Sequence, residues 1–148
     1  MVNKLISHSL TAMGMPNSLE PTNLYNSNGL RPDGVTHLPL KFGKSLTWDF
    51  TSPHPLCPSH LNTPGSVAEI AEKKKNEKYE SLQQNYFFTP IDIDNLGTYG
   101  PQAKQIINLI GKRLSAKHKD PRRLSYLRQS LGIVIQRGNA LTMLFSLI

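Results

Sequence analysis

The sequence is short of cysteine, of long apolar runs and of several familiar catalytic patterns. Cys57 is the only cysteine, which excludes a disulfide framework and a cysteine-ligated zinc site and fits a reducing compartment. No apolar run approaches the ~20 residues that a membrane-spanning helix needs. The polar residues within 1–15 favour a short helix over a signal peptide. No Ser/His/Asp pattern and no phosphate-binding glycine loop is present, and we expect no small-molecule cofactor. From the single cysteine and the lack of a long apolar run, we expect an intracellular protein with no membrane partner.

Acidic residues are also scarce, and the positive charge is concentrated in the last third of the chain. The net charge is +7, yet residues 1–100 hold eight Lys/Arg against nine Asp/Glu, whereas residues 101–148 hold nine Lys/Arg against Asp120 alone. Such a block suits contact with nucleic-acid phosphates, and the alternative is a solvated helical face. The candidate nucleic-acid-binding residues are Lys112, Arg113, Lys117, Lys119, Arg122, Arg123 and Arg128.

Apolar spacing and turn residues predict the elements of the first half of the chain. We expect a helix over Val2–Met13, a short strand near Asn23–Tyr25, and a hairpin whose strands are Val35–Leu40 and Ser45–Thr51. Residues 52–65 are rich in proline and predict a long loop, which contains two of the five scattered histidines, His54 and His60.

The second half predicts mainly helices. A capping box at Ser66–Glu69 begins a helix that runs to about Leu82, and a strand follows over Tyr86–Ile93. Further helices are expected near 103–114 and from about Arg122, with Gly138–Asn139 as a break in the last one. The order α-β-β-β-α-β predicts an α/β fold with a mixed sheet and extra C-terminal helices. We expect one domain over 1–148, with a core at about 1–95 and a basic helical extension at about 101–148.

Two acidic residues fall at the open end of the predicted hairpin. Asp33 precedes its first strand and Asp49 lies near the end of its second, and antiparallel pairing places those ends side by side. Neighbouring carboxylates repel one another unless a cation lies between them, and carboxylate oxygens suit Mg²⁺ and phosphodiester chemistry. The alternatives are a turn-forming Asp33 before Gly34 and an exposed strand position for Asp49. Trp48 and Phe50 alternate with Asp49 and are expected to face the core.

Six short phrases occur in a characteristic order over residues 19–140. They are Leu19-Glu20-Pro21, Arg31-Pro32-Asp33-Gly34, Leu46-Thr47-Trp48-Asp49-Phe50-Thr51, Glu72-Lys73-Lys74-Lys75-Asn76-Glu77-Lys78-Tyr79, Leu96-Gly97-Thr98-Tyr99-Gly100-Pro101 and Ile135-Gln136-Arg137-Gly138-Asn139-Ala140. With them the sequence resembles the restriction-like endonuclease domain, of PD-(D/E)XK type, that accompanies the reverse transcriptase in non-LTR retrotransposons and related retroelement reading frames.

The resemblance implies a restriction-endonuclease-like fold that nicks DNA with Mg²⁺ or Mn²⁺ as cofactor. Asp33 and Asp49 match the two acidic positions of the motif and would ligate the metal. Glu20 matches a third acidic ligand found in some of these nucleases, and the alternative is a plain loop carboxylate before Pro21. The implied partners are DNA and a reverse transcriptase domain or the element RNA, and the implied location of a functional protein is the nucleus.

The catalytic lysine departs from the common motif. That motif places lysine two residues after the second acid, where this sequence has Thr51. In the retroelement branch the lysine is expected on the next helix, where the candidates are Lys73, Lys74, Lys75 and Lys78. Lys75 and Lys78 can share a helix face with Tyr79 beside them, so we take these three as catalytic candidates without ranking the lysines. The alternative is a solvated face, because glutamates are interleaved with these lysines.

Two hypotheses therefore stand. The first is a small metal-dependent DNA endonuclease domain, and the second is a nucleic-acid-binding or structural remnant of a retroelement that lacks catalysis. The observation that separates them is whether Asp33, Asp49 and a lysine converge in the folded chain.

Overall fold

The computed structural model describes residues 1–22, 24, 28–53 and 67–146, which form an α/β protein. A mixed sheet of four strands is flanked by four helices. The strands are β1 (Asn17–Leu19), β2 (Gly34–Lys41), β3 (Lys44–Thr51) and β4 (Tyr86–Asp92). The helices are α1 (Val2–Ala12), α2 (Val67–Lys78), α3 (Pro101–His118) and α4 (Arg123–Ser146), and a 3₁₀ turn, Glu80–Gln84, follows α2. Within the described ranges no helix is long and apolar enough to cross a membrane.

The strands lie in sequence order, and only the last pair is parallel. β1 pairs with β2 and β2 with β3 in antiparallel fashion, whereas β4 lies parallel to β3. The predicted hairpin is confirmed. Its turn residues, Phe42 and Gly43, have φ angles of 55° and 67°. Two residues with positive φ make the tight turn whose twist matches that of paired strands.

Two predicted elements differ from the structure in their position or length. The first strand is β1 at Asn17–Leu19, whereas only Leu24 of the predicted stretch near 23–25 is described and it lies outside any strand. α2 ends at Lys78 instead of about 82 because the chain tightens into the 3₁₀ turn. The proline-rich loop, its two histidines and the first residue of the capping box lie outside the described residues.

The predicted break at Gly138–Asn139 is wrong, because α4 continues through both residues to Ser146. Asparagine ends helices when its side chain bonds to nearby backbone. Here Asn139 Nδ2 donates a 2.8 Å hydrogen bond to the carbonyl of Asn95, so its amide is used in a tertiary contact. A glycine inside a helix costs about 1 kcal/mol, which the packing of a long helix can offset.

The main core lies between the sheet and the helices α1, α3 and α4. Leu46 and Trp48 of β3 and Ile91 of β4 are fully buried on this face. The two C-terminal helices supply much of the same core, through Ala103, Ile106, Ile107, Ile110, Leu114, Leu127, Leu131 and Ile135. Because strand residues alternate between faces, Asp49 is directed to the other side of the sheet, toward α2.

Only glycine fits at position 34, because a tryptophan lies opposite it. Gly34 pairs with Trp48 across β2 and β3, and a Cβ atom at residue 34 would overlap the benzene part of the Trp48 ring. Asp33 directly precedes this glycine, and its N–H donates a 2.8 Å hydrogen bond to the carbonyl of Trp48. The Pro-Asp-Gly segment is therefore an entry into β2 beneath a buried ring.

A side chain of α2 caps the N-terminus of α3. Glu72 Oε1 accepts hydrogen bonds from the backbone N–H groups of Gln102, at 2.8 Å, and Ala103, at 3.0 Å. A Cβ atom on Gly100 would collide with the Glu72 carboxylate. Burial raises the pKa of Glu72, and the two hydrogen bonds act in the opposite direction. The contact fixes the rotation of α2 about its axis and so positions Lys75, one turn further along.

Candidate active site

Asp33 and Asp49 meet at the open end of the hairpin. Asp33 Oδ2 accepts a 2.7 Å hydrogen bond from the backbone N–H of Phe50, which orients the carboxylate across the strand pair toward β3. The carboxyl groups of Asp33 and Asp49 lie close enough for the negative charge of Asp33 to raise the pKa of Asp49. The structure therefore brings together the two acids that the hairpin pairing predicts.

Lys75 enters this site from α2. Its Nζ donates a 3.0 Å hydrogen bond to the backbone carbonyl of Asp49 and lies 3.5 Å from Asp49 Oδ2. The same Nζ lies 2.7 Å from Oδ1 of Asp92, the last residue of β4. One ammonium group thus contacts two carboxylates on neighbouring parallel strands.

The pKa of Asp49 is strongly perturbed. Burial is the main cause and raises the pKa of this carboxyl from its usual 3.8 to about 6; Lys75 acts against the shift, and repulsion from Asp33 adds to it. A carboxylate that is costly to charge in the folded protein gains from any additional cation beside it. A metal-binding carboxylate at this position would show the same property: its charged form is unfavourable until a cation lies beside it.

Tyr79 closes one side of the site, whereas Lys78 does not reach it. The Tyr79 ring is buried and stacks on Phe88 with a centroid distance of 4.5 Å. Burial, followed by the charges of Asp49 and Asp33, raises the pKa of Tyr79 to about 12, so the phenol remains protonated. Lys78 is exposed, with its Nζ 5.2 Å from the centre of the Tyr79 ring.

Glu20 lies close to the site along the backbone, although its side chain is exposed. Its N–H donates a 2.8 Å hydrogen bond to the carbonyl of Asp33, and its φ of 49° is unusual for a residue other than glycine. Within the described part of the chain no group of three or more His, Cys, Asp or Glu side chains is arranged to hold a metal ion. The acidic pair fits Mg²⁺ in another way, since Mg²⁺ is commonly held by one or two carboxylates and keeps several waters.

Sequence reasoning left Lys75 and Lys78 unranked and missed Asp92, although a signal was available. Ala68, Glu72, Lys75 and Tyr79 follow a four-three-four spacing, which places them on one helix face, and all four are buried. A charged residue within such a stripe marks a buried ion pair, and Lys78 falls outside it. Asp92 ends a run of apolar residues in β4, where Asp is unfavourable.

The predicted basic residues lie on other elements than those that carry Asp33, Asp49 and Lys75. α3 begins beside Glu72, and its 18 residues span about 27 Å before reaching Lys117 and Lys119. All seven predicted contacts are on α3, on α4 or in the turn between them, and those helices pack on the core face of the sheet. Asp120 accepts a hydrogen bond from Arg122 Nε at 3.1 Å, so this arginine is partly neutralised. Within the described residues no ion pair joins these cations to Asp33, Asp49 or Asp92, although Arg128 lines a small pocket with Ile93, the residue after Asp92.

A cavity of about 740 Å³ lies on the core face instead of at the carboxylates. Apolar side chains, among them Val2, Phe50, Ile135 and Leu141, line most of it, and Arg137 contributes a charge at its edge. None of the acidic residues of the site lines this cavity. The volume of a cavity therefore does not locate the candidate active site, because the carboxyl groups with shifted pKa values lie on the opposite face of β3.

No model of a known protein family matches the chain, and no curated protein matches it.

Proposed function

We propose that this chain is a metal-dependent DNA endonuclease domain of the restriction-like type, related to the nucleases of retroelements. The observation that carries the proposal is the convergence of Asp33, Asp49 and Lys75 at one end of the hairpin. Two acids and a lysine are the groups that this class of nuclease needs, and here the lysine comes from α2, as expected when Thr51 occupies its usual place.

The architecture supports the same proposal. The helices and strands follow the order α-β-β-β-α-β before the two C-terminal helices, and the two acids lie where the hairpin borders a parallel strand. We infer a restriction-endonuclease-like fold from this order. A protein of this type would act on DNA in the nucleus, beside a reverse transcriptase domain or the element RNA.

The chemistry follows from the charges at the site. Asp33 and Asp49 would hold Mg²⁺ or Mn²⁺, which would polarise the scissile phosphate and lower the pKa of a bound water. Lys75 would stabilise the negative charge that develops on the phosphate, since its ammonium is already fixed beside Asp49. Tyr79 would close one side of the site, where its hydroxyl donates a 3.4 Å hydrogen bond to the carbonyl of Arg31, two residues before Asp33. We assign Glu20 no direct bond to the metal ion; its carboxylate would contact the ion only through a bound water molecule.

A second candidate function is a binding or structural remnant that lacks catalysis. Lys75 partly neutralises both Asp49 and Asp92, so the cluster can remain folded without a metal ion. The basic residues of α3 and α4 would then provide the remaining activity, which is contact with nucleic-acid phosphates.

A nicking assay on supercoiled plasmid DNA separates the two functions and tests the lysine assignment. We expect the unmodified protein to nick DNA with Mg²⁺ and not with a chelator. Lys75→Gln should lower the nicking rate by about 100-fold, the usual effect of removing a group that stabilises the transition state. Lys78→Gln is the matched control and should retain most of the activity, because Lys78 lies outside the carboxylate cluster.

The contrary results are equally clear. A protein that binds DNA but does not nick it with Mg²⁺ or Mn²⁺ is the remnant and not the enzyme. Equal losses for the two lysine variants would show that Lys75 has no special part in the reaction.

DNA affinity should depend on the basic surface in a way that salt titration reveals. Arg113 and Lys117 are exposed, four residues apart on α3, and should each release counterions on contact with phosphate. Replacing both with alanine should weaken binding and flatten the slope of log affinity against log salt by up to about two units. Replacing Arg122 and Arg123 should have a smaller effect, because both interact with Asp120.

The exposed pair Lys73 and Lys74 on α2 is the control for that measurement. If only this pair changes the slope, DNA contacts the α2 side of the molecule, and the α3–α4 surface is a solvated face.

A further inference from the structure

Asp92 is the most deeply buried acid described near the site, and no sequence motif points to it. Its side chain is 0% exposed, and Oδ2 accepts no hydrogen bond within the described residues. Burying a carboxylate in this way is strongly unfavourable unless a cation compensates it, and an apolar residue of similar size would often be more stable. A purely structural role therefore explains Asp92 poorly.

Lys75 is the cation that the fold places beside Asp92. Glu72, which is also near, is acidic and is already committed to capping α3. The Lys75 ammonium lies closer to Asp92 Oδ1, at 2.7 Å, than to Asp49 Oδ2, at 3.5 Å. The two carboxylates thus compete for one ammonium group, and the buried one holds it more closely.

That competition has a consequence for metal binding. An ammonium group that lies directly against the Asp49 carboxylate would occupy the position of a metal ion and repel it, since like charges about 4 Å apart repel one another strongly near a protein surface. A counter-charge behind the lysine would draw the ammonium back while keeping it within reach of the phosphate. Asp92 occupies that position, on the strand beyond β3.

We propose that Asp92 is a positioning residue that holds Lys75 away from the metal-binding oxygens of Asp49, so that lysine and metal ion can occupy the site together. This role rests on the proposed nuclease function. It acts through Lys75, and the removal of Lys75 should therefore remove the need for Asp92.

A metal titration of four proteins tests this role without measuring catalysis. The proteins are the unmodified chain, Asp92→Asn, Lys75→Gln and the double variant, each titrated with Mn²⁺ by calorimetry. Asp92→Asn should weaken Mn²⁺ binding by at least about tenfold, as losses of groups behind a metal ligand do. In the Lys75→Gln background the same change should alter the affinity by less than about threefold, because no ammonium remains to compete.

Asp94→Asn is the matched control. Asp94 is also buried, but its Oδ1 accepts hydrogen bonds from the N–H groups of Leu96 and Thr98 and so serves a local turn. Asp94→Asn changes the charge of the chain by the same amount as Asp92→Asn, but it leaves the contact between Asp92 and Lys75 in place. Its effect on Mn²⁺ affinity should be small.

A second measurement needs no variant and covers the case in which Asp92→Asn does not fold. In a crystal structure of the unmodified protein with Mn²⁺, Lys75 Nζ should remain within hydrogen-bonding distance of Asp92. It should lie farther from the Asp49 carboxylate oxygens than about 4 Å, the usual limit for an ion pair. An ammonium that instead leaves Asp92 for Asp49 or solvent would overturn the role.

The outcomes also separate this role from the proposed function. If the unmodified protein binds Mn²⁺ and nicks DNA, but Asp92→Asn weakens binding equally with and without Lys75, Asp92 acts only as a distant charge and the positioning role is wrong. Equal effects of the Asp92 and Asp94 changes would lead to the same conclusion. If the unmodified protein binds no divalent metal, the nuclease proposal fails, and the role of Asp92 fails with it.

Discussion

Replacing Asp49 with asparagine is expected to abolish Mg²⁺-dependent nicking and, at neutral pH, to make the folded protein more stable. The substitution keeps the size of the side chain and removes a negative charge from the proposed ligand pair. It leaves the backbone carbonyl of residue 49, which accepts the Lys75 hydrogen bond, in place. DNA binding should persist, because a negative charge near the phosphates has been lost.

The stability effect follows from the raised pKa of Asp49. Because the folded-state pKa is about 6 and the ordinary value is 3.8, the folded protein binds the proton more tightly than the unfolded chain does. The stabilising effect of that proton is complete below about pH 4 and is lost as the pH rises through 6. At pH 7 asparagine should therefore raise the free energy of unfolding by about 2 kcal/mol, allowing for partial solvent exposure, and at pH 3.5 by almost nothing.

Urea unfolding of both proteins across this pH range provides the measurement. Asp120→Asn is the control, because the hydrogen bonds from Arg122 lower the pKa of Asp120, so removing this charge should not stabilise the protein at neutral pH. An Asp49→Asn protein that is less stable than the parent at pH 7 would show that the carboxylate is satisfied without a metal ion. An Asp49→Asn protein that still nicks DNA would move the activity to another site.

Much of the fold could be predicted from local patterns. The alternation of Leu46, Trp48 and Phe50 with polar residues located both faces of β3, and the turn before Lys44 determined the register of the hairpin. Those two features were sufficient to predict that Asp33 and Asp49 lie close together. Both depend on a period of two and a tight turn, which involve few residues and little tertiary context.

The rest of the site depended on how α2 packs. Its sequence is charged on nearly every side, so no broad apolar stripe indicated which lysine would face the sheet. The rotation of the helix is determined instead by the contact of Glu72 with the N-terminus of α3 and by the stacking of Tyr79 on Phe88 of β4, two contacts with other elements. The unfavourable strand position of Asp92 was a signal, but its role depends on Lys75, which comes from another element.

Gly34→Ala is expected to cause a large loss of stability. The added methyl group would overlap the ring of Trp48, which is fully buried and also donates a 3.2 Å hydrogen bond to Asn3. Such overpacking forces the ring or the strand to move and costs about 3 kcal/mol. For a chain of this size that loss lowers the melting temperature by about 10 °C. Because Asp33 is adjacent, nicking should fall as well.

Gly132→Ala is the matched control, since it makes the same chemical change where nothing lies near the new methyl group. Alanine is favoured over glycine inside a helix by up to about 1 kcal/mol. The melting temperature of this variant should therefore stay the same or rise. Trp48→Phe in the Gly34→Ala background should recover part of the loss, because the smaller ring leaves room for the methyl group. If Gly34→Ala melts at the same temperature as the parent, the ring does not lie over residue 34. The glycine of the Pro-Asp-Gly segment would then need another explanation.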